Sequence, residues 1–227
     1  MNLRVLIPVR SFEDGKQRLS SRLSPLQRQV LNARLCRHLF GVVLAVVPAR
    51  HCIVVSRSQE VLELARRQGM QALLEDAPGG LNPALEQAAA LAAAQGADAV
   101  LSLSCDLPLL QADDLHALIA RIAPRRVTLG SDHTCTGTNA LLVSPPGAIA
   151  YRYGPDSRAL HREAACAAGL AFEAIHRPGI ATDVDTPADL DALGAQSGAW
   201  TAETDGAAPA PALPSLRVRG LVSCVGT

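Results

Sequence analysis

The stretch AVLSLSCDLP, residues 99–108, decides the fold class of this chain. Residues 99–104 form a nearly continuous apolar run, which predicts a strand that is buried on both faces. Such strands are typical of parallel sheets that helices cover on both sides. Pro108 ends the strand and leaves Asp106 at its tip. A carboxylate in that position is costly to bury unless it is paired or binds a cation.

Short apolar runs alternate with helical patterns on both sides of this stretch. We predict further strands over residues 3–9, 51–56, 72–74, 127–129, 139–143 and 170–175, and helices over residues 25–46, 59–68, 81–95, 112–121, 157–168 and 187–193. Ser24 and Pro25 mark the start of the longest helix, because serine is a common N-cap and proline fits the first turn. The alternation predicts an α/β fold with a mostly parallel central sheet flanked by helices, of the Rossmann-like type.

The composition limits the class of protein. The chain has 227 residues, and its 21 Lys and Arg balance its 21 Asp and Glu, so no bulk charge attracts nucleic acid or a membrane surface. No apolar run reaches the ~18 residues that cross a bilayer, and the N-terminal apolar stretch is too short for a signal peptide. We therefore expect a cytoplasmic protein. The six cysteines include no C-x-x-C pair, which argues against a zinc site.

The C-terminal part differs in composition from the rest. We predict one domain over residues 1–193, a linker over 194–214 and a strand-like tail over 215–227. In the tail, apolar residues alternate with Arg217 and Arg219, the pattern of a half-buried strand. We expect the tail to dock on a sheet edge and help build a homodimer, the alternative being a dispensable terminus.

The first motif that carries chemistry is the loop IPVRSFEDGKQRLS, residues 7–20. It places Arg10, Lys16 and Arg18 around one turn, where three cations suit a polyphosphate. The alternative is a solvated basic loop. The loop is not a P-loop, because the G-x-x-x-x-G-K-[ST] pattern is absent.

The second motif is ATDVDTP, residues 181–187. If Asp183 and Asp185 end a strand, both carboxylates point the same way and repel each other unless a cation lies between them. Helix capping before Pro187 explains one of the two aspartates but not both. Together with Asp106 they provide three oxygen ligands of the kind that Mg²⁺ prefers.

Two less charged loops complete the set. In PGGLNPAL, residues 78–85, Asn82 is suited to a nucleotide base or ribose, although a plain N-cap explains it equally well. TGTNALL and YGPDS, residues 136–142 and 153–157, offer neutral donors and a glycine for a second anion pocket, at Thr138, Gly154 and Ser157. One metal site and two anion sites fit a reaction between a nucleoside triphosphate and a phosphorylated acceptor.

The motifs IPVRSFEDGKQRL, SCDLPLL, GTNALL, YGPDS and ATDVDTP, in this order, resemble the phospholactate guanylyltransferase family of deazaflavin coenzyme F-420 biosynthesis. That family has a molybdopterin-nucleotidyltransferase-like fold of the nucleotide-diphospho-sugar transferase type. Members transfer GMP from GTP to the phosphate of 2-phospho-L-lactate, phosphoenolpyruvate or 3-phospho-D-glycerate and release pyrophosphate. The preferred acid is not readable from the sequence, because a difference of one methylene is worth only about 1–3 kcal/mol in a pocket.

The resemblance implies a role for each motif. Asp106, Asp183 and Asp185 would hold Mg²⁺, and Lys16 would contact the triphosphate as part of the same catalytic set. The phospho-acid would bind at the second anion pocket. Arg10 stands where the family usually has lysine, and Ser104 and Cys105 stand where Ala or Gly is usual; neither change removes a metal ligand.

Two rival functions follow from the same residues. One is a nucleotidyltransferase of this fold that acts on a sugar phosphate or on molybdopterin, but such enzymes typically carry a Gly-Gly-rich first loop, which IPVRSF lacks. The other is a catalytically dead nucleotide-binding module. All three carboxylates are present, which favours an enzyme.

Overall fold

The computed structural model describes residues 1–76 and 79–196, in which strands and helices alternate. The strands are β1 (Leu3–Pro8), β2 (Cys52–Ser56), β3 (Gln71–Leu74), β4 (Ala99–Leu103), β5 (Arg126–Gly130), β6 (Ala140–Ser144) and β7 (Ala171–Ile175). The helices are α1 (Pro25–Val46), α2 (Gln59–Arg67), α3 (Leu81–Ala94), α4 (Ala112–Ile119), α5 (Ser157–Ala167), α6 (Pro178–Ala181) and α7 (Pro187–Gln196).

All seven strands form one sheet in the order β3-β2-β1-β4-β6-β5-β7. Strands β1 to β4 are parallel, β6 is antiparallel to both of its neighbours, and β7 is parallel to β5. The start of β6 therefore lies at the same edge as the carboxyl ends of the other six strands. This mostly parallel sheet, flanked by helices, confirms the predicted fold class.

Helices cover the sheet on both faces. Side chains of α1, α2 and α4 pack with Val5, Ile7 and Leu101 in one core cluster, whereas α3 and α5 pack with Leu6 and Val100 in the other. Successive residues of a strand point to opposite faces, so β1 and β4 contribute to both clusters. Burial on both faces explains the apolar run of residues 99–103.

Helix α1 begins where the sequence indicated. Ser24 accepts a hydrogen bond from the backbone N–H of Gln27, the Gln27 side chain accepts one from the Ser24 N–H, and Pro25 occupies the first turn. This capping box satisfies two backbone donors that a helix start leaves without partners.

The C-terminal part departs from the predicted pattern in two places. The four-residue helix α6 stands where we predicted a direct passage from a strand into the aspartates, and α7 continues past Leu193 to Gln196. The predicted linker from residue 197 on, the strand-like tail and its proposed dimer contact lie outside the described residues. In the described part of the chain, no helix is long and apolar enough to span a membrane.

Candidate active site

The basic loop that follows β1 is fastened to α1. Asn32 of α1 donates from Nδ2 to the Phe12 carbonyl at 2.8 Å, and a side chain at Gly15 would collide with the Asn32 amide. The next residue, Lys16, has a φ of 58°, a left-handed backbone conformation that is uncommon outside glycine. These constraints fix the direction in which the Lys16 side chain leaves the loop.

Lys16 joins two of the predicted carboxylates. Its Nζ lies 2.6 Å from Asp106 Oδ2 and 2.7 Å from Asp185 Oδ1, and its side chain is only 7% exposed. Burial alone lowers the pKa of Lys16, but the charges of Asp106 and Asp185 more than offset it and raise that pKa. The ammonium therefore stays charged at neutral pH. Lys16 is also the only lysine among the 21 basic residues of the chain.

The two C-terminal aspartates do not end a strand, as we had predicted. They follow α6 in an irregular segment, in which the N–H of the fully buried Val184 donates to the Asp106 carbonyl at 3.2 Å. This bond ties the segment to the end of β4, although the two sites are far apart in sequence. Asp183 and Asp185 flank the buried valine, and both line the same cavity.

The Asp185 carboxylate does not cap helix α7. Asp189 accepts hydrogen bonds from the backbone N–H groups of Asp185 and Thr186 at 3.0 and 2.7 Å, and the Asp189 N–H donates to Thr186 Oγ1 at 3.3 Å. Thr186 and Asp189 thus form the reciprocal pair of a capping box. The Asp185 carboxylate is left for Lys16 and the cavity.

An ion pair holds α6 in place. Arg177 Nε donates to Asp114 Oδ1 at 2.8 Å, and the other oxygen of this buried carboxylate accepts from the Gln111 N–H. A side chain at Gly179 would collide with the Asp114 carboxylate and the Leu109 carbonyl. Close packing at Gly179 fixes the position of α6 and therefore of the segment with Asp183 and Asp185 that follows it.

Asp183 lies in a less compensated environment than the other two aspartates. Burial, and then the charge of Asp106, raise its pKa, while the Asn139 amide partly opposes this shift. Asn139 Nδ2 lies 3.4 Å from Asp183 Oδ1 and donates to the Ile180 carbonyl at 2.9 Å. Asn139, at the start of β6, therefore connects α6 with the site.

Lys16 and the three aspartates line one cavity of about 780 Å³ at the carboxyl edge of the sheet, where open α/β sheets bind ligands. The cavity brings together the six predicted residues Arg10, Lys16, Arg18, Asp106, Asp183 and Asp185. It also contains Asn32, Arg57, Glu75 and Asn139, to which the sequence analysis assigned no role.

The three aspartates do not form a ready ligand set. Within residues 1–76 and 79–196, no three or more Asp, Glu, His or Cys side chains are grouped so that they could hold a metal ion. The reason is visible in the ion pairs, because the Lys16 ammonium occupies the position between Asp106 and Asp185. The sequence analysis expected a cation between Asp183 and Asp185, whereas no contact of Lys16 with Asp183 is found among the described residues.

We predicted that Asn82 contacts the nucleotide, but in the structure its side chain contacts the Tyr153 backbone. Its Nδ2 donates to the Tyr153 carbonyl at 3.1 Å, and its Oδ1 accepts from the Tyr153 N–H at 2.8 Å. The amide thus joins α3 to the segment before α5, and Asn82 is not among the residues that line the cavity. This side chain positions the YGPDS loop.

Thr138 and Ser157 meet each other, but outside the cavity. Both are buried, Ser157 Oγ donates to Thr138 Oγ1 at 3.1 Å, and His161 Nδ1 lies 3.1 Å from the same oxygen. The Arg152 N–H donates to His161 Nε2, and burial lowers the pKa of His161 to about 4, so the neutral ring carries its proton on Nδ1. Gly154 has a φ of 136°, and a side chain added at this position would meet no other atom within 4 Å.

Cys105 lines the cavity without being a nucleophile. A hydrogen bond with Cys36 of α1, and then burial, raise the pKa of its thiol well above the usual range. A protonated thiol is a weak nucleophile. Cys105 is therefore not an activated nucleophile in this cavity.

Comparison with known proteins places the chain in a family. Residues 3–198 match the family described as guanylyl transferase CofC-like. Phosphoenolpyruvate guanylyltransferases from Sphaerobacter thermophilus and Rubrobacter xylanophilus are 39% and 37% identical, over 83% and 87% of this chain and 90% and 96% of theirs. A 3-phospho-D-glycerate guanylyltransferase from Colwellia psychrerythraea is 30% identical over 89% of this chain and 96% of its own.

Solved structures support the fold alone. A nucleotidyl transferase from Methanothermobacter thermautotroptrophicus matches with a TM-score of 0.60 and 14% identity, covering 86% of this chain and 96% of that one. Glucosyl-3-phosphoglycerate synthase from Mycobacterium tuberculosis, in complex with Mn²⁺ and UDP, matches with a TM-score of 0.57 and 12% identity, covering 89% and 79%. The family match and the curated relatives confirm the resemblance drawn from five motifs. The chain belongs to the guanylyl transferase CofC-like family.

Proposed function

We propose that this guanylyltransferase transfers GMP from GTP to the phosphate of a three-carbon phospho-acid, in deazaflavin coenzyme biosynthesis. A phosphate oxygen of the acid attacks the α-phosphorus of GTP, a new P–O–P bond forms, and pyrophosphate leaves. The observation that carries the proposal is the cavity itself, which combines Arg10, Lys16 and Arg18 with three aspartates. Such a reaction needs charge neutralisation and positioning rather than a side-chain nucleophile.

We assign the triphosphate to the basic side of the cavity. Arg10 and Arg18 flank the buried Lys16, whose ammonium is already fixed by two carboxylates. Charge-assisted hydrogen bonds from these cations to phosphate oxygens are among the stronger polar contacts in proteins. The fixed position of Lys16 reduces the reorganisation needed as charge moves to the leaving pyrophosphate.

The carboxylates provide suitable oxygen ligands for a divalent cation such as Mg²⁺. Asp183 would hold it together with Asp106 and Asp185; burial, and then the charge of Asp106, raise the pKa of Asp183. When bound, the ion would neutralise phosphate charge. Because Lys16 contacts two of the same carboxylates, cation and ammonium would share or compete for them.

Thr138, Gly154 and Ser157 remain our proposed acceptor side. Ser157 and the Nδ1–H of His161 both donate to Thr138 Oγ1, so the Thr138 hydroxyl hydrogen is left to donate elsewhere. No acceptor for that hydrogen is found among the described residues. Thr138 directly precedes Asn139, which lines the cavity. Thr138 would contact the phospho-acid, and Ser157 would orient Thr138.

The acceptor experiment tests the function directly. With GTP and Mg²⁺, the three acids are offered in competition, and the guanylylated products are separated and identified by mass. We expect pyrophosphate release and a product from phosphoenolpyruvate first, because the more similar of the relatives above carry that name. Turnover only with a sugar phosphate or a molybdopterin would contradict the proposal, and GTP binding without pyrophosphate release would indicate a non-catalytic module.

Ser157→Ala should raise the KM of the acid and leave that of GTP nearly unchanged. Loss of one neutral hydrogen bond is worth about 1 kcal/mol, so we expect a change of roughly fivefold. The exposed Ser21, which follows the basic loop and does not line the cavity, provides the matched control, Ser21→Ala, which should change neither value. A variant that alters only the KM of GTP would show that Ser157 does not belong to the acceptor side.

A further inference from the structure

The cavity extends beyond the phosphate end, towards β2 and β3. Arg57 follows β2, Glu75 follows β3, and Gly80 and Leu81 open α3; all four line the cavity. In the sheet order, β2 and β3 lie on the side of β1 away from Asp106. Two strand spacings amount to about 10 Å, which is enough to separate a nucleobase from its phosphates.

The Glu75 carboxylate is held in place there. Its side chain is 15% exposed, and Oε1 accepts from the Gly80 N–H at 3.1 Å and forms an ion pair with Arg57 at 3.1 Å. The turn that carries it is fixed by Gln87 of α3, whose amide bonds the Leu74 carbonyl at 3.0 Å and the Asp76 N–H at 3.2 Å. No contact to Oε2 is found within the described part of the chain.

Apolar side chains line the same cavity as this carboxylate. Val55 and Ala84 are almost fully buried, whereas Leu81 is 36% exposed, and all three line the cavity. Apolar walls with one or two well-placed polar groups are typical of small-molecule sites. A flat heterocycle between these walls would bring its polar edge to Glu75.

We infer that Glu75 selects guanine over other bases. Guanine presents two adjacent donors, N1–H and the 2-amino group, and Glu75 Oε2, which has no contact in the described part of the chain, has two lone pairs to accept them. Adenine presents an acceptor at N1, which a carboxylate repels. The inference rests on the proposed function and identifies the residue by which that site would choose its nucleotide.

The test compares GTP with inosine triphosphate, which lacks only the 2-amino group. For the wild type, Glu75→Gln and Asp76→Asn, kcat/KM is measured for both nucleotides with phosphoenolpyruvate, together with the melting temperature. Asp76 is an exposed neighbour outside the cavity lining, so its variant controls for loss of charge in this turn. We expect the wild type and Asp76→Asn to prefer GTP by roughly ten- to a hundredfold, because an analogue that lacks a donor leaves a buried acceptor unpaired.

In Glu75→Gln this preference should fall towards one, mainly through loss of activity with GTP. An unchanged preference, or an equal loss with both nucleotides, would overturn the assignment and leave Glu75 as a support for the turn. If the wild type releases no pyrophosphate from GTP with any of the acids, the proposed function itself fails, and this inference with it. The two failures are distinguishable, because failure of the proposed function is already visible in the wild type, without any variant.

Discussion

Asp183→Asn is expected to lower GTP turnover by roughly a hundred- to a thousandfold, the range typical for loss of one fixed group that stabilises transition-state charge. Its melting temperature should stay the same or rise. Burial, and then the charge of Asp106, raise the pKa of Asp183 in the folded state, so its ionised form opposes folding at neutral pH. Asparagine removes that charge, keeps the size of the side chain, and still offers an oxygen to Asn139.

Pyrophosphate release and thermal unfolding of the same samples check this prediction. Asp191→Asn is the matched control, because Asp191 lies on α7 with its side chain 58% exposed and paired with Arg22 on the surface. It should retain wild-type turnover. Near-normal turnover in a folded Asp183→Asn would remove Asp183 from the catalytic set.

Lys16→Met should reduce turnover by a similar factor but, unlike Asp183→Asn, should also lower the melting temperature. Without the ammonium, Asp106 and Asp185 face each other with no compensating charge, and loss of one partner of a partly buried ion pair is destabilising. If a divalent cation and Lys16 compete for these carboxylates, Mn²⁺ should raise the melting temperature of Lys16→Met more than that of the wild type.

Two controls separate charge from geometry and surface effects. Lys16→Arg keeps the positive charge in a different shape, and should retain stability better than turnover. Arg67→Met, at an exposed site on α2, should behave as wild type. Equal Mn²⁺ shifts in all variants would show that the cation does not use the carboxylates that Lys16 contacts.

Much of the fold was predictable because its signals are local. The capping box of Ser24 and Gln27 and the proline at residue 25 define the start of α1, and its observed bounds agree with the prediction. The apolar run that became β4 needed no information from elsewhere in the chain. The short α6 was missed because four residues with one proline carry no helical periodicity.

The composition of the site was predictable, but its contacts were not. The aspartates and the basic loop stand out by residue type, whereas the bonds of Lys16 to Asp106 and Asp185 connect residues 90 and 169 positions apart. The sheet order brings these partners together, and the order of the strands cannot be read from the sequence. The same holds for Asn82, whose bond with Tyr153 spans 71 positions and excludes the plain capping role we had weighed as an alternative.

The single lysine gives this protein a natural spectroscopic handle. Expression with lysine that carries ¹³C at its ε-carbon would label Lys16 alone and leave the chain chemically unaltered. The resulting carbon NMR spectrum would contain one side-chain signal, and it would arise between the two carboxylates that contact Lys16. Nucleotide and metal titrations could then be followed at Lys16, which we propose contacts the triphosphate, without any engineered probe.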